Sequence, residues 1–196
     1  MKTLLVLSFC LLSVAVYPQT VRTFNGPDRA FQFTYPSILT RCPLGQGQWA
    51  KDCSSQGRLC GGAYGSTTIV CLAYPSDRLK GKLAFGGATF FVAKVAVSER
   101  ACLAGEDWLV EKVEGIRING ARFQLFHTSD AWLGGGEAAR IYRVFRDGTC
   151  YELGLQEGYA STGGYDPGSF LEYTTQDQRR VRSSLEQALT SFRFLK

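Results

Sequence analysis

Apolar positions alternate at residues 31–35 and along 123–127, run on continuously in other strand-like stretches, and near the C-terminus fall on a single helical stripe. In residues 30–35 (AFQFTY), Phe31, Phe33 and Tyr35 share one face before Pro36 ends the run, which predicts a short strand. Residues 66–75 (STTIVCLAYP) are β-branched and stop at Pro75. Residues 84–97 (AFGGATFFVAKVAV) give a longer strand, with Gly86-Gly87 as a bulge or bend, and the polar 76–82 connects the two. Ser98 is placed to cap a short helix carrying Ala101, Cys102 and Leu103, interrupted at Gly105. EDWLVEKV (106–113) then offers a further helical turn or two.

Two dipeptides punctuate the middle of the chain. Asn119-Gly120 lies inside GIRINGARFQLFHT (115–128), and Asp147-Gly148 lies inside RIYRVFRDGTCYELGL (140–155). Both are hairpin signals between β-like runs, so this region predicts an antiparallel sheet. The C-terminal part changes period. Thr175-x-x-Gln178 has the form of a capping box, and Val181, Leu185, Leu189 and Phe192 make one apolar stripe. Phe192 and Phe194 predict a short terminal strand. The expected fold class is α+β, an antiparallel β-sheet with a long C-terminal helix packed on it.

The N-terminus assigns a compartment. Met1-Lys2 is a minimal positive segment, residues 4–16 are nearly all apolar, and Ser13 and Ala15 have signal-peptidase spacing ahead of Pro18. The expectation is a signal peptide over 1–15, cleaved in the region 15–20. A single domain over 21–196 comes after it, periplasmic or secreted. No later apolar run reaches the roughly 20 residues that span a bilayer. Cleavage removes Cys10 and leaves Cys42, Cys53, Cys60, Cys71, Cys102 and Cys150, an even set that reads as three disulfides with 15 possible connectivities. Four of them fall in the Gly-, Ser- and Gln-rich stretch 42–71, a long loop that needs cross-links. Cys102 and Cys150 lie on a predicted helix and strand, and their pairing would tie two core elements together. Zinc is the alternative, but the spacings contain no C-x-x-C.

At this point a family resemblance emerges. The F-x-F-x-Y-P opening strand, the strand ending Tyr74-Pro75, the Asn-Gly hairpin and CYELGL all contribute. Tyr165-x-Pro167-Gly168 and a V-x3-L-x3-L helix followed by SFRF complete the pattern over residues 29–196. In these features the chain resembles the PsbP-like (PsbP/Mog) family, and most of all its small exported bacterial members. Known members include an extrinsic subunit of photosystem II and a protein that binds the GTPase Ran. The resemblance implies an αβα sandwich around an antiparallel sheet, a binding or assembly role, and no shared catalytic apparatus. The cysteine-rich loop departs from the plant and nuclear members, so no functional residue is carried over.

Composition excludes more chemistry than it supplies. One histidine, His127, rules out any site built on two imidazoles. Alternation puts His127 on the face of Phe123 and Leu125, as a packed or rim residue. Disulfides occupy the thiols, and no G-x-S-x-G elbow exposes a serine. Paired carboxylates remain: Glu106-Asp107, Glu111 and Glu114 near Trp108 would suit a small hydrolase of envelope polymers. Gly134-Gly135-Gly136 precedes a strand and not a helix, so it reads as a hairpin tip rather than a phosphate cradle. A net charge of +5 is mild. Arg179, Arg180 and Arg182 form a solvated face open to acidic partners or anionic headgroups, and export argues against nucleic acid.

The most suggestive stretch is 156–175 (QEGYASTGGYDPGSFLEYTT), which sets Tyr159, Tyr165, Phe170 and Tyr173 among glycines, serines and threonines. Tyrosines on such a loop offer amphipathic contact area. The expected function is therefore a non-enzymatic exported binding or assembly domain, without cofactor or metal, whose partner is a protein or envelope component. The alternatives are the carboxylate hydrolase and a secreted enzyme inhibitor that inserts its stapled loop into a cleft.

Overall fold

A computed structural model describes residues 20–44, 53, 60, 66–79, 81–82, 84–105, 111–112, 115–160, 166 and 171–195. For Glu111, Lys112 and Trp132 it describes the backbone alone. The expected signal peptide, Glu106, Asp107, Trp108, Glu114, Tyr165 and Phe170 lie outside the described residues.

The three strand-like runs become β2 (Phe31–Pro36), β4 (Ser66–Ala73) and β5 (Phe85–Val95). The hairpin dipeptides join β7 (Ile116–Ile118) to β8 (Ala121–Trp132) and β9 (Gly135–Arg146) to β10 (Thr149–Ala160). Asn119 and Asp147 take φ of 45° and 50° and the following glycines 87° and 74°, the left-handed pair such turns require. With β3 (Thr40–Arg41) and β6 (Glu111–Lys112), the strands form one antiparallel sheet in the order β3-β4-β5-β10-β9-β8-β6, and β7 also pairs with β8. The β5–β10 register slips where Gly158 faces Gly87 and Tyr159 faces Phe85, so the expected bulge falls at Gly86. A second small sheet joins β1 (Val21–Asn25), β2 and β11 (Arg193–Phe194).

The large sheet has two buried faces because its strands place alternate residues on each. One face carries Leu72, Val92, Phe90, Leu153, Tyr142 and Phe123. On it pack helix α2 (Thr175–Ser191), through Val181, Leu185, Ala188 and Leu189, and the inward Phe31, Phe33 and Tyr35 of β2. Phe31 stacks on Phe192 at 5.1 Å, and Phe33 meets Phe90 edge-on at 5.2 Å. The opposite face carries Cys71, Phe91, Ile141 and Phe126. Helix α1 (Glu99–Ala104) is tied to it by Cys102–Cys150, with Cα atoms 5.8 Å apart. This is the pairing expected of those two cysteines, and a loop of 48 residues closed this way contributes about 4 kcal/mol in the chain-entropy model. Cys42–Cys53 and Cys60–Cys71 are the other two bridges. The expected α+β fold, disulfide-stapled with a C-terminal helix packed on an antiparallel sheet, is the fold observed.

Three expectations change. The capping box sits one residue early: Thr174 is the N-cap and its hydroxyl accepts from the Asp177 N–H, while the Asp177 carboxylate accepts from the Thr174 N–H. Asp177, a short acid at the third helical position, does the work expected of Gln178. Glu111 and Lys112 are extended and not helical, because pairing with His127 and Phe126 of β8 satisfies their backbone. Finally, Gln156 to Ala160 are not loop. They continue β10 in register with β9, as far as Ala160 opposite Gly135. Among the described residues, no helix is long and apolar enough to cross a membrane.

Candidate functional site: a cleft beside the C-terminal helix

The inward face of the central meander changes character at one level. On β8, Phe123 and Leu125 are followed by His127 and Ser129. On β9, Val144 and Tyr142 give way to Arg140, Ala138 and Gly136. On β10, Tyr151, Leu153 and Leu155 give way to Glu157 and Tyr159. These positions are cross-strand neighbours: His127 faces Arg140, Arg140 faces Leu155, Ala138 faces Glu157 and Gly136 faces Tyr159. Below that level, large apolar side chains fill the space under α2. Above it, alanine and glycine do not, and a cleft of about 870 Å³ opens between the sheet and the N-terminal half of the helix. That volume is within the range of ligand-binding pockets.

Two ion pairs cross the cleft with opposite polarity. Arg140 of β9 donates through Nη2 to Glu186 of α2 at 2.6 Å, and Arg182 of α2 donates through Nε to Glu157 of β10 at 2.7 Å. Arg182 and Glu186 are one helical turn apart, so each also supports the other along the helix. All four side chains are partly exposed, which makes these pairs weak as stabilisers and available to a ligand. Hydrogen bonding to Glu157 raises the Arg182 pKa further, so that guanidinium is always charged.

Tyrosines close the other end. Tyr159 is half exposed, with its phenol lying across Gly136. Tyr173 packs its ring 5.3 Å from that of Phe85, and burial pushes its pKa up well beyond the usual phenol value, so its hydroxyl stays protonated. Gln178 of α2 and the small residues Ala84, Gly158 and Ala160 complete this end.

Of the four aromatic residues expected to form a contact surface, the structure brings Tyr159 and Tyr173 into one cleft. They are a strand residue and a helix-leader residue rather than neighbours on one long loop. His127 stands exposed on the rim, as its alternation predicted. Gly134 is in the β8–β9 turn with φ 93°, while Gly135 and Gly136 are paired strand residues. Of the three arginines, Arg182 enters the cleft and Arg179 and Arg180 are exposed. Sequence reasoning does not single out Arg140, Glu157, Gln178 or Glu186 as site residues. The signal is present in the simultaneous loss of apolar inward positions on three consecutive strands.

No family model matches this sequence, and the comparison with curated proteins finds no relative. Solved structures do match. A crystal structure of a protein from Bacteroides thetaiotaomicron aligns at 11% identity and a TM-score of 0.44, covering 89% of this chain and 48% of that one. This chain therefore spans about half the length of that protein. The solution structure of cyanobacterial PsbP (CyanoP) from Synechocystis aligns at 10% identity and a TM-score of 0.40, covering 96% of this chain and 99% of that one.

Proposed function

We propose that this chain is a non-enzymatic binding or assembly domain, exported by its N-terminal signal peptide to the periplasm or the extracellular space, and that the cleft beside α2 is its contact surface. The observation that carries the reading is the switch on three adjacent strands from core-filling to small or polar inward residues. It keeps part of the helix–sheet interface open to water where packing would otherwise close it. The lining mixes tyrosines, alternating charges and a Gly/Ala floor. That composition suits an extended polar segment of a protein or envelope component, held by hydrogen bonds and tyrosine contacts. Three disulfides fit an oxidising compartment.

The test is to fill the cleft without disturbing the fold. Ala138→Arg projects a long side chain from the exposed floor position, Tyr159→Ala removes a half-exposed ring, and Tyr173→Phe keeps the packing but deletes the hydroxyl. The three variants are expected to melt within a few degrees of the parent and to lose the proteins or polymers that the parent retains from an envelope extract. Retention of the same set by all three variants refutes the assignment. So does turnover of an envelope polymer by the purified parent protein.

A further inference from the structure

Cys42 and Cys71 are bonded to different partners, yet they stand beside each other. Cys42 directly follows β3, where Thr40 faces Ala73 and Arg41 faces Leu72, and its N–H donates to the Cys71 carbonyl at 2.9 Å. The two residues are thus cross-strand neighbours. Opposed residues in antiparallel strands have Cα atoms about 4.5–5.5 Å apart, inside the span that a disulfide bridges. The sulfurs converge as well: Sγ of Cys42, Cys60 and Cys71 all lie within 4.8 Å of one another. Cys53 completes the group through its bond to Cys42, and all four residues are buried in one cluster with Ala73 and Phe91.

We propose that Cys42, Cys53, Cys60 and Cys71 form one thiol–disulfide exchange centre with two permitted pairings, the observed 42–53 with 60–71 and the alternative 42–71 with 53–60. A small-molecule thiol of the glutathione class starts the change. Its thiolate attacks Cys60 Sγ, in the most exposed of the four residues, forms a mixed disulfide there and releases Cys71 as a thiolate. Cys71 attacks Cys42 Sγ, so the Cys42–Cys71 bond forms, the Cys42–Cys53 bond breaks and Cys53 leaves as a thiolate. Cys53 then attacks Cys60 of the mixed disulfide, closing Cys53–Cys60 and returning the small thiol. Two disulfides are present before and after, so the thiol is a catalyst and nothing is oxidised or reduced.

The two pairings hold the chain differently. The observed one closes two rings of sequence separation 11 and makes no covalent tie between β3 and β4. The alternative staples β3 to β4 directly and leaves a small 53–60 ring within the intervening segment. The same residues can therefore set two attachments of the 42–71 segment to the sheet. Cys102–Cys150 lies in a separate cluster and takes no part.

Cys53→Ser tests this, because it leaves the Cys42 thiol beside an intact Cys60–Cys71 bond. After acid quenching and alkylation, non-reducing peptide mapping is expected to show the alkyl label shifted from Cys42 to Cys60, together with a Cys42–Cys71 peptide. Label confined to Cys42, with Cys60–Cys71 intact, overturns the proposal. Cys102–Cys150 and a cooperative melt report that the variant is folded. If it is not, the parent protein is incubated with a reduced and oxidised glutathione buffer and mapped in the same way. Cys42–Cys71 and Cys53–Cys60 peptides support the proposal there, and their absence, with the Cys42–Cys53 and Cys60–Cys71 pairing retained, refutes it.

Discussion

The Tyr159 phenol lies across Gly136, its directly opposite partner on β9, in the space that a Cβ on that residue would occupy. Gly154 stands in the same relation to Phe91, its partner on β5, on the other face of the sheet. In both cases an aromatic ring covers the bare backbone of a strand glycine, but the rings differ in freedom. Tyr159 is 48% exposed and Phe91 is fully buried.

The same substitution therefore has two outcomes. Gly136→Ala is expected to push Tyr159 outward at a cost of about 1 kcal/mol or less, seen as a changed ring environment for that tyrosine by NMR. In Gly154→Ala the Phe91 ring has no space to move into, and overpacking is expected to cost roughly 3 kcal/mol in urea unfolding. Equal losses in the two variants would show that ring mobility is not what separates them.

These glycines also show how much of the fold is legible in the sequence. Alternation locates β2, whose second face is only half-buried, whereas β4 and β5 are buried on both faces and are located by β-branched and aromatic runs that Pro75 and Gly86-Gly87 punctuate. The Asn-Gly and Asp-Gly turns set the hairpin positions, and the Val181–Leu185–Leu189 stripe places α2. Glu111 and Lys112 read locally as helix, because their pairing with β8 is a long-range contact that local propensity does not encode. Tyr159 stands out by its surrounding composition but reads as loop, since Gly158 beside it mimics a turn signal. Arg140 and Glu186 are 46 residues apart in sequence, and only the packing of α2 across β9 brings them together.

On the face opposite the cleft, Arg143 donates through Nε to Glu152 at 2.6 Å, and both side chains are fully buried. They are cross-strand neighbours on β9 and β10, the centre of the sheet. Removing one member leaves a buried charge without its counter-ion. Arg143→Met and Glu152→Leu alone are each expected to lose about 3–5 kcal/mol, and the double variant is expected to recover most of that loss. The check is a double-mutant cycle by urea unfolding. Additive losses would show that the pair does not act as a unit.

Asn119 serves two elements at once. Its φ of 45° forms the β7–β8 turn, and its Nδ2 donates to the carbonyls of Thr190 at 2.7 Å and Phe192 at 2.8 Å, at the end of α2. Asn119→Gly keeps the turn and loses both hydrogen bonds, for an expected cost of about 1–2 kcal/mol. Asn119→Ala loses the bonds and also strains the turn, adding about 1 kcal/mol. Asn119→Asp replaces the donor with a negative charge facing the carbonyl end of the helix, so it is expected to be worse than Gly. Thermal melts of the three variants should rank Gly above both others.

Asp177 ties the start of the same helix to the body of the protein. Its carboxylate accepts from Lys82 Nζ at 2.5 Å and from the Thr174 hydroxyl at 2.7 Å, and these bonds, Lys82 first, lower its pKa from 3.8 to about 2. A carboxyl with a depressed folded-state pKa stabilises the fold fully above its unfolded value. That contribution is lost as pH falls through the folded value. The melting-temperature gap between the parent and Asp177→Asn is therefore expected to be constant from neutral pH to about 5, to narrow below about 4, and to close near 2. Lys82→Met should shift the narrowing toward pH 4, because the largest cause of the depressed pKa is then gone. A gap that persists unchanged to pH 2 would mean that the carboxylate form of Asp177 does not favour the folded state.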